Sequence, residues 1–247
     1  MANLPPIPED IFQRLTLIAE YNSNKDGENN PMDGAFLIND YQPHVLTDFN
    51  LKLNLPEDHL AIREYQDVTT VPANRIPIFT SPIIGTEFPI CGPNYINGPR
   101  NDSLLPILIA AQAINEDFRQ YDIVSGRGLL RKIAMNNETY AVGVMRHGRT
   151  LLLRRYGILT INRNDLGFLF EEMCTPGYPQ DAEYKYLIKA TIGTFRTLLV
   201  AEIDAVAPRD NLNAPNNSLE LKCSRAENLQ RTDDTWLQTF LSKFVIS

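Results

Sequence analysis

The sequence of 247 residues has few of the residue types that build disulfide frameworks and zinc sites. It contains three cysteines and three histidines, and both sets are scattered along the chain. An odd, scattered set of cysteines fits neither a disulfide framework nor a zinc ribbon, so we expect a reducing, intracellular compartment, either the nucleus or the cytoplasm. Scattered histidines argue against a histidine-based metal site, and any metal would need carboxylate ligands.

Long hydrophobic runs are also missing. The longest apolar stretch, 104–114, is interrupted by Pro106 and Gln112 and is shorter than the roughly 20 residues that span a bilayer. No basic segment followed by an apolar one lies near the first residue. The sequence therefore predicts neither a membrane partner nor a secretory signal.

The rest of the composition is typical of a globular protein, with 43% apolar and 9% aromatic residues. Apolar periodicity predicts helices over 11–21, 103–121, 166–173 and 235–245, with Asp102 or Ser103 as the cap of the second. It predicts strands over 140–144, 150–153, 184–207 and 218–223. We therefore predict one α+β domain over 1–247, with a variable N-terminal segment over 1–39.

Positive charge is concentrated in one segment of an otherwise acidic chain. The formal net charge is −7, but residues 127–163 hold eight basic residues and one acid, which gives +7, and the remainder carries −14. Such an asymmetry can guide a polyanion into one cleft. The alternative interpretation is that these arginines lie on several solvated faces and are neutralised by acids elsewhere in the fold.

Two short acidic motifs lie in neighbouring apolar segments near the C-terminal end. Glu202 and Asp204 are two residues apart, as are Glu220 and Lys222. Residues two apart on a strand face the same side of a sheet. If the two segments pair as a hairpin, three carboxylates and one lysine converge on one patch.

Such a patch is costly without compensation, because like charges crowd and burial raises their pKa values. A divalent cation removes that cost, since Mg²⁺ and Mn²⁺ prefer carboxylate, carbonyl and water ligands, and two such ions can bracket a scissile phosphate. The lysine would orient the attacking water or stabilise charge on the phosphate. The alternative is a solvent-facing set of cross-strand ion pairs.

Further motifs surround this pair in a fixed order. The series is Arg127-Gly128, then Gly167 followed by Glu171, then Glu202-Ile203-Asp204, then Glu220-Leu221-Lys222, and finally Gln238. This ordered set, over roughly residue 40 to the C-terminus, resembles the DXO family of decapping exoribonucleases, which includes the nuclear partner of a 5′–3′ exoribonuclease. A segment around Arg63 resembles the family more loosely.

The resemblance implies a fold, a cofactor and residue roles. It implies a mixed α/β core of two mixed β-sheets flanked by helices, as in metal-dependent nucleases with a Glu-x-Lys motif, holding Mg²⁺ or Mn²⁺ as two ions. Residues implied as metal ligands are Glu171, Asp204, Glu220, the Leu221 carbonyl and, through water, Glu202. Lys222 and Gln238 would lie at the scissile phosphate and its water, and Arg127 would hold RNA phosphate.

The implied function is removal of unusual RNA 5′ ends, namely triphosphates, incomplete caps or NAD caps, with 5′–3′ exoribonuclease activity in many members. This sequence departs from the family in two respects: Ser125 and Gly126 precede Arg127 where a bulkier residue is common, and it ends sooner after Gln238 than relatives do. The alternative hypothesis is therefore a catalytically weak RNA-binding protein that stabilises a nuclease partner. A DNA nuclease with the same metal chemistry is a third, since the 2′-hydroxyl contacts that separate RNA from DNA cannot be read from sequence.

Overall fold

The structure, a computed structural model, describes most of the segment from residue 41 to residue 223. The described residues are 41, 43–52, 75–83, 85, 95–101, 103–135, 140–162, 165–179, 182–208 and 217–223. The helices predicted over 11–21 and 235–245, the variable N-terminal segment, the segment around Arg63 and the candidate residue Gln238 lie outside these residues.

Three α-helices, one 3₁₀-helix and nine strands follow one another along the described chain. The helices are α1 Leu105–Ala113, α2 Arg127–Met135 and α3 Leu166–Cys174, and the 3₁₀-helix is Phe118–Gln120. The strands are β1 His44–Lys52, β2 Tyr95–Asn101, β3 Ile123–Gly126, β4 Ala141–His147, β5 Thr150–Asn162, β6 Ala182–Ile192, β7 Phe195–Glu202, β8 Ala205–Val206 and β9 Ser218–Leu219.

Seven strands form one mixed sheet and two form a small antiparallel sheet. The order in the large sheet is β1-β6-β7-β3-β5-β2, with β4 paired to β5. Strand β3 runs parallel to both of its neighbours, β7 and β5, while the other pairs are antiparallel. The prediction of an α+β fold with two sheets flanked by helices is confirmed, and the larger of them is mixed.

The large sheet has an apolar layer on each face, because its central strands alternate two sets of buried side chains. On one face, Leu187 and Leu198 pack with Ile107 of α1. On the other face, Ile188 and Leu199 pack with Leu130 of α2. The helices α1 and α2 therefore cover opposite faces of one sheet.

The small sheet is attached to helix α3 and to the segment 75–83 by backbone hydrogen bonds. Val206 donates its N–H to the Pro77 carbonyl at 2.7 Å and accepts from Phe79 at 2.8 Å. The next N–H, that of Thr80, reaches the Cys174 carbonyl at the end of α3 at 2.7 Å. The segment 75–83 thus fixes β8 relative to α3.

Several predicted elements have different bounds in the structure. Helix α1 ends at Ala113 rather than at residue 121, and Asn115 just beyond it has a left-handed φ of 57°. Ser103 lies near its start, where the hydroxyl accepts a hydrogen bond from the Leu105 N–H at 3.2 Å. The predicted strand 184–207 is three strands, most of β6 and all of β7 and β8, and β6 and β7 are separated by a turn at Gly193, which has φ 59°.

The strands predicted around the turn at His147 and Gly148 are present and longer than expected. Strand β5 continues to Asn162 because its second half pairs with β2, which is distant in sequence. Within the region of the chain that the structure describes, every helix is too short or too polar to span a membrane.

Candidate active site

The acidic motifs lie where the chain passes from the large sheet to the small one. Strand β7 ends at Glu202, and Ile203 makes one more bond of the large sheet by donating to the Tyr184 carbonyl at 2.9 Å. Strand β8 then begins at Ala205. Asp204 is therefore in the connection between the two sheets. The spacing had predicted that Asp204 and Glu202 share one face of a strand, and this prediction is wrong.

The predicted pairing of the two acidic motifs exists, but it is short. Ala205 pairs with Leu219 and Val206 with Ser218, so the ladder ends before Glu220 rather than continuing to residue 223. Because the strands are antiparallel, the residue before β8 and the residue after β9 lie at the same end of the ladder. Asp204 Oδ2 accepts a hydrogen bond from the Leu221 N–H at 2.8 Å, which links the two motifs directly.

Helix α3 supplies the fourth carboxylate. It begins after Asp165, whose side chain caps the helix by accepting from the Gly167 N–H at 2.7 Å. Its last turn packs against the small sheet in an apolar cluster that consists of Cys174, Ala205, Leu221, Phe79, Phe170 and Leu219. This packing holds Glu171 beside the two acidic motifs.

Two cations accompany the acids. Arg127 is the first residue of α2, and Nη1 of its buried guanidinium lies 4.0 Å from Oε2 of Glu220. Lys222 donates to Oε1 of the same carboxylate through a short hydrogen bond. The Glu220 side chain is only 5% exposed, whereas that of Lys222 is 47% exposed, so the lysine reaches the acids from the solvent side.

Burial and mutual repulsion disfavour ionisation of the acids. The pKa of Glu171 is raised to about 7, first by burial and then by the charge of Glu202, while Lys222 opposes the rise. The pKa of Asp204 is raised well above its usual value by burial, Glu220 and Glu171. These two carboxyls therefore favour a proton, or another cation, near neutral pH.

The two basic side chains respond to the same field. Burial acts to lower the pKa of Lys222, but the charges of Glu220 and Asp204 outweigh it and raise that pKa. Burial lowers the pKa of Arg127, against the opposing effect of the acids. We call the set Glu171, Glu202, Asp204, Glu220, Lys222 and Arg127 the acidic cluster and its cations.

The chemistry of these donors fits a hard divalent cation, since all four acids offer carboxylate oxygens and two of them have raised pKa values. Their arrangement is not that of a closed ligand shell. Among the described residues, no group of three or more His, Cys, Asp or Glu side chains is placed to hold a metal ion. In the observed arrangement, the Leu221 N–H and the Lys222 ammonium make hydrogen bonds to Asp204 and Glu220.

Some charged residues near the cluster escaped the sequence analysis. Lys185 pairs in register with Glu202 and forms an ion pair of 2.8 Å with Glu183, and both of these β6 side chains are buried. Two charged residues within an otherwise apolar strand sequence are the signal that could have identified Glu183 and Lys185. Within the basic segment, Arg149 forms an ion pair with Asp122 on the surface, so the positive charge is not all directed at the cluster.

Known proteins resemble this chain in structure rather than in sequence. No protein-family model and no curated protein sequence matches it. A crystal structure of S. pombe Rai1 in complex with 3′-FADP superposes with a TM-score of 0.59 at 15% identity, over 83% of this chain and 68% of Rai1. The fold is that of Rai1.

Other Rai1 structures agree. A second crystal structure of S. pombe Rai1 gives a TM-score of 0.57 at 16% identity, over 83% of this chain and 68% of that one. Scheffersomyces stipitis Rai1, in complex with (3′-NADP)⁺ and a calcium ion, gives 0.50 at 15% identity, over 83% and 66%. The Rai1/DXO resemblance expected from the ordered motifs is thus confirmed at the level of the fold.

Proposed function

We propose that this chain is a metal-dependent hydrolase that acts on RNA 5′ ends. The reactions proposed are decapping, pyrophosphate release and NAD-cap removal, with 5′–3′ exoribonuclease activity. The observation that carries the proposal is the acidic cluster: Glu171, Glu202, Asp204 and Glu220 influence one another electrostatically at the junction of the two sheets, beside Arg127 and Lys222. A scaffold protein has no need of such a cluster, because raised carboxyl pKa values cost stability.

The Rai1 fold, and the ligands with which Rai1 proteins were crystallised, support the same proposal. Rai1 from S. pombe was crystallised with 3′-FADP, and Rai1 from S. stipitis with (3′-NADP)⁺ and calcium. The two organic ligands, 3′-FADP and (3′-NADP)⁺, are phosphorylated dinucleotides. We propose a nucleotide-containing phosphate substrate for this chain as well. An intracellular site of action, in the nucleus or the cytoplasm, and a 5′–3′ exoribonuclease as a protein partner belong to the same proposal.

We assign the chain's own residues as follows. Glu171, Asp204 and Glu220, with Glu202 and the Leu221 carbonyl, would hold Mg²⁺ or Mn²⁺, which supplies charge neutralisation at the phosphate and lowers the pKa of water. Lys222, half-exposed above the acids, is placed to approach a phosphate oxygen from the solvent side. Arg127 offers a planar fork of donors that matches phosphate. Gln238 is assigned by its place in the ordered motifs alone.

A second candidate function is that of a catalytically weak RNA-binding protein that stabilises a nuclease partner. One observation favours it: among the described residues, no three potential ligands are arranged around a common metal position. In that case the carboxyls would keep protons or ion pairs rather than metal, and Arg127 would still bind phosphate.

Incubation with end-labelled RNA separates the two functions. RNAs with monophosphate, triphosphate, unmethylated-cap or NAD 5′ ends would be incubated with Mg²⁺ or Mn²⁺ and again with EDTA. We expect metal-dependent release of the label by the native protein and none by Glu171→Gln, because Glu171 lies among the other acids.

Glu172→Gln is the matched control, since Glu172 is the next residue of α3 and is exposed. We expect it to cleave like the native protein. Release that persists in Glu171→Gln would contradict the assigned site. No release from any RNA by the native protein, with RNA still bound, would establish the second candidate function instead.

A further inference from the structure

Three strands of the large sheet, β1, β2 and β4, have a single neighbour among the described strands. An edge strand presents unpaired backbone N–H and C=O groups, and natural proteins usually protect such an edge with a proline, a lysine or a β-bulge. The pairing of β1 is irregular between Val45 and Thr47, and β2 contains Pro99. These two edges are therefore protected against further pairing.

Strand β4 has none of these protections. Its sequence contains no proline, lysine or acid, and its register with β5 is unbroken from Ala141 to His147. Two large apolar side chains of β4 are exposed, Val144 at 46% and Met145 at 59%. Since neighbouring residues of a strand alternate between faces, one of them lies on each face of the sheet. A regular, apolar edge of this kind accepts a further strand.

The polar side chains of β4 are engaged within the molecule. Arg146 donates from Nε to the Gly148 carbonyl in the hairpin turn at 2.8 Å, and the ring centroids of His147 and Phe118 lie 5.6 Å apart. None of the described residues makes a backbone hydrogen bond on the side of β4 away from β5. The outer edge of β4 is therefore open to another strand.

We propose that β4 pairs antiparallel with β4 of a second copy of this chain, about a two-fold axis at Val144. The two large sheets then become one continuous sheet. The pairing is independent of the proposed function, because β5 and β3 separate β4 from β7, where the acidic cluster begins. Each copy keeps its own acidic cluster.

The size pattern of β4 selects a second copy as the partner. Val144 is the midpoint of the strand, so the pairing centred there is the one that joins all seven residues of each copy. On one face, small residues then lie opposite large ones, with Gly143 opposite Met145 and Ala141 opposite His147. Because opposite Cβ atoms are only about 5 Å apart, a small residue gives its large partner room.

The glycine in this pattern has an aromatic ring beside it. Cε2 of Tyr156 lies 2.5 Å from the position that a Cβ of Gly143 would take, so the ring occupies the place of a side chain. In the pairing, Met145 of the second copy lies opposite Gly143 and packs against this ring. Contacts between a thioether and an aromatic ring are favourable, and the exposed Met145 side chain gains cover.

Like charges do not oppose the pairing. Arg146 lies opposite Val142 of the second copy, so the two Arg146 side chains are four residues apart along the strands. At the usual rise per residue this is about 13 Å, which exceeds the screening length of about 8 Å at physiological ionic strength. We therefore expect the affinity of the dimer to change little with salt concentration.

Sedimentation equilibrium of the native chain tests the pairing. One pair of edge strands buries less surface than a standard interface, so we expect a dimer dissociation constant on the order of 10 µM. Val144→Lys places like charges opposite each other on the two-fold axis. We expect it to weaken the dimer by about tenfold or more and to leave the melting temperature of the half-exposed site unchanged.

Phe195→Lys is the matched control. Phe195 is 53% exposed at the start of β7, so this substitution also removes an exposed apolar side chain and adds a positive charge, away from β4. We expect its dimer to be as stable as the native one. An equal loss in Phe195→Lys, or no loss in Val144→Lys, would overturn the pairing. A native chain that stays monomeric about tenfold above the expected constant would also overturn it, in favour of a strand from a different protein.

Disulfide cross-linking tests the register and decides the matter if Val144→Lys does not fold. Cys91→Ser and Cys223→Ser provide the background, in which the buried Cys174 is the remaining thiol. Val144→Cys in this background should form a covalent dimer on oxidation, because opposite Cβ atoms lie close to the separation that a disulfide needs. Arg149→Cys, which is exposed just beyond β4, should not. Cross-linking in neither variant, or equally in both, would contradict the proposed pairing.

Discussion

The backbone N–H of Leu221 donates to Oδ2 of Asp204 at 2.8 Å, and this bond joins the two acidic motifs across the end of the small sheet. The Asp204 carboxyl is buried among other acids, which repel its negative charge. One of its oxygens nevertheless stabilises the structure by accepting this hydrogen bond. The hydrogen bond and the charge of Asp204 can therefore be separated by substitution.

We expect Asp204→Asn to fold at least as stably as the native protein and to have lost metal-dependent cleavage. The amide oxygen still accepts the Leu221 bond, while the repelled charge disappears. Asp204→Ala removes the acceptor too, and its free energy of unfolding should be lower than that of Asp204→Asn by about 1 to 2 kcal/mol. Urea denaturation of both variants is the measurement, and equal stabilities would contradict the bond's contribution.

The raised pKa of Glu171 makes the metal-free protein less stable as the pH rises. Its folded pKa is about 7 against an ordinary value of 4.5, so the folded state binds the proton more tightly than the unfolded state. The stability that this group contributes is complete below about pH 4.5 and is lost as the pH rises through 7. We expect the melting temperature in EDTA to fall across this range.

In Glu171→Gln the melting temperature should fall less with pH, and at pH 8 it should be higher than that of the native protein. The melting temperature of Glu172→Gln should follow the native curve. Melting curves at several pH values in EDTA check both statements. A native melting temperature that rises from pH 5 to pH 8 while Glu171→Gln stays flat would refute the direction of this linkage.

Added Mg²⁺ or Mn²⁺ should stabilise the protein if the acids bind it. A ligand at a hundred times its dissociation constant contributes about 2.7 kcal/mol, which is readily seen in a melting curve. The shift should be larger at pH 8 than at pH 6, because protons compete for Glu171 and Asp204. We expect Glu220→Gln to lose most of it, and an undiminished shift in that variant would place the ion elsewhere.

Arg127 and Glu220 form a buried pair whose two members should not be equivalent. Removing the cation in Arg127→Met leaves Glu220 among other acids, and we expect a loss of about 3 kcal/mol in the free energy of unfolding. Glu220→Gln relieves repulsion and should cost far less. The double variant should recover part of the loss, which a double-mutant cycle measures. Additive effects would mean that the pair does not interact.

Strand β4 depends on a glycine that faces an aromatic ring. A Cβ at Gly143 would lie 2.5 Å from Cε2 of Tyr156, so Gly143→Ala must displace a buried ring. We expect a loss of about 1 to 3 kcal/mol in unfolding experiments. Gly128→Ala in α2 is the control, because nothing lies near its Cβ position, and it should be neutral or slightly stabilising. Equal effects would contradict the close approach.

Helices and strands could be predicted from the sequence where the signal lies within the element itself. The strands around Gly148 and helix α3 follow from apolar periodicity, and they are present. The extension of β5 could not be predicted, since it comes from pairing with β2 about sixty residues earlier. The end of α1 depends on a left-handed Asn115, which periodicity does not reveal.

Several side chains of the candidate site could be named from the sequence, but their geometry could not. The ordered motifs identified Glu171, Asp204 and Glu220, which the structure brings together. Their order does not reveal that Asp204 lies between two sheets, because that depends on where β7 stops pairing with β6 and β8 begins to pair with β9. Nor does it reveal that Arg155, within β5, is buried.

The segment 75–83 holds β8 and α3 together through main-chain atoms of Pro77, Phe79 and Thr80. Hydrogen bonds of this kind do not depend on which side chain is attached, except that proline cannot donate at the last two positions. The exposed side chains there, such as those of Thr80 and Ser81, can therefore change over evolutionary time without altering the spacing between Glu171 and Asp204, whereas Pro77 and Phe79 are held by packing. A comparison of distant homologues should find the exposed positions of this segment variable in sequence and its backbone path constant.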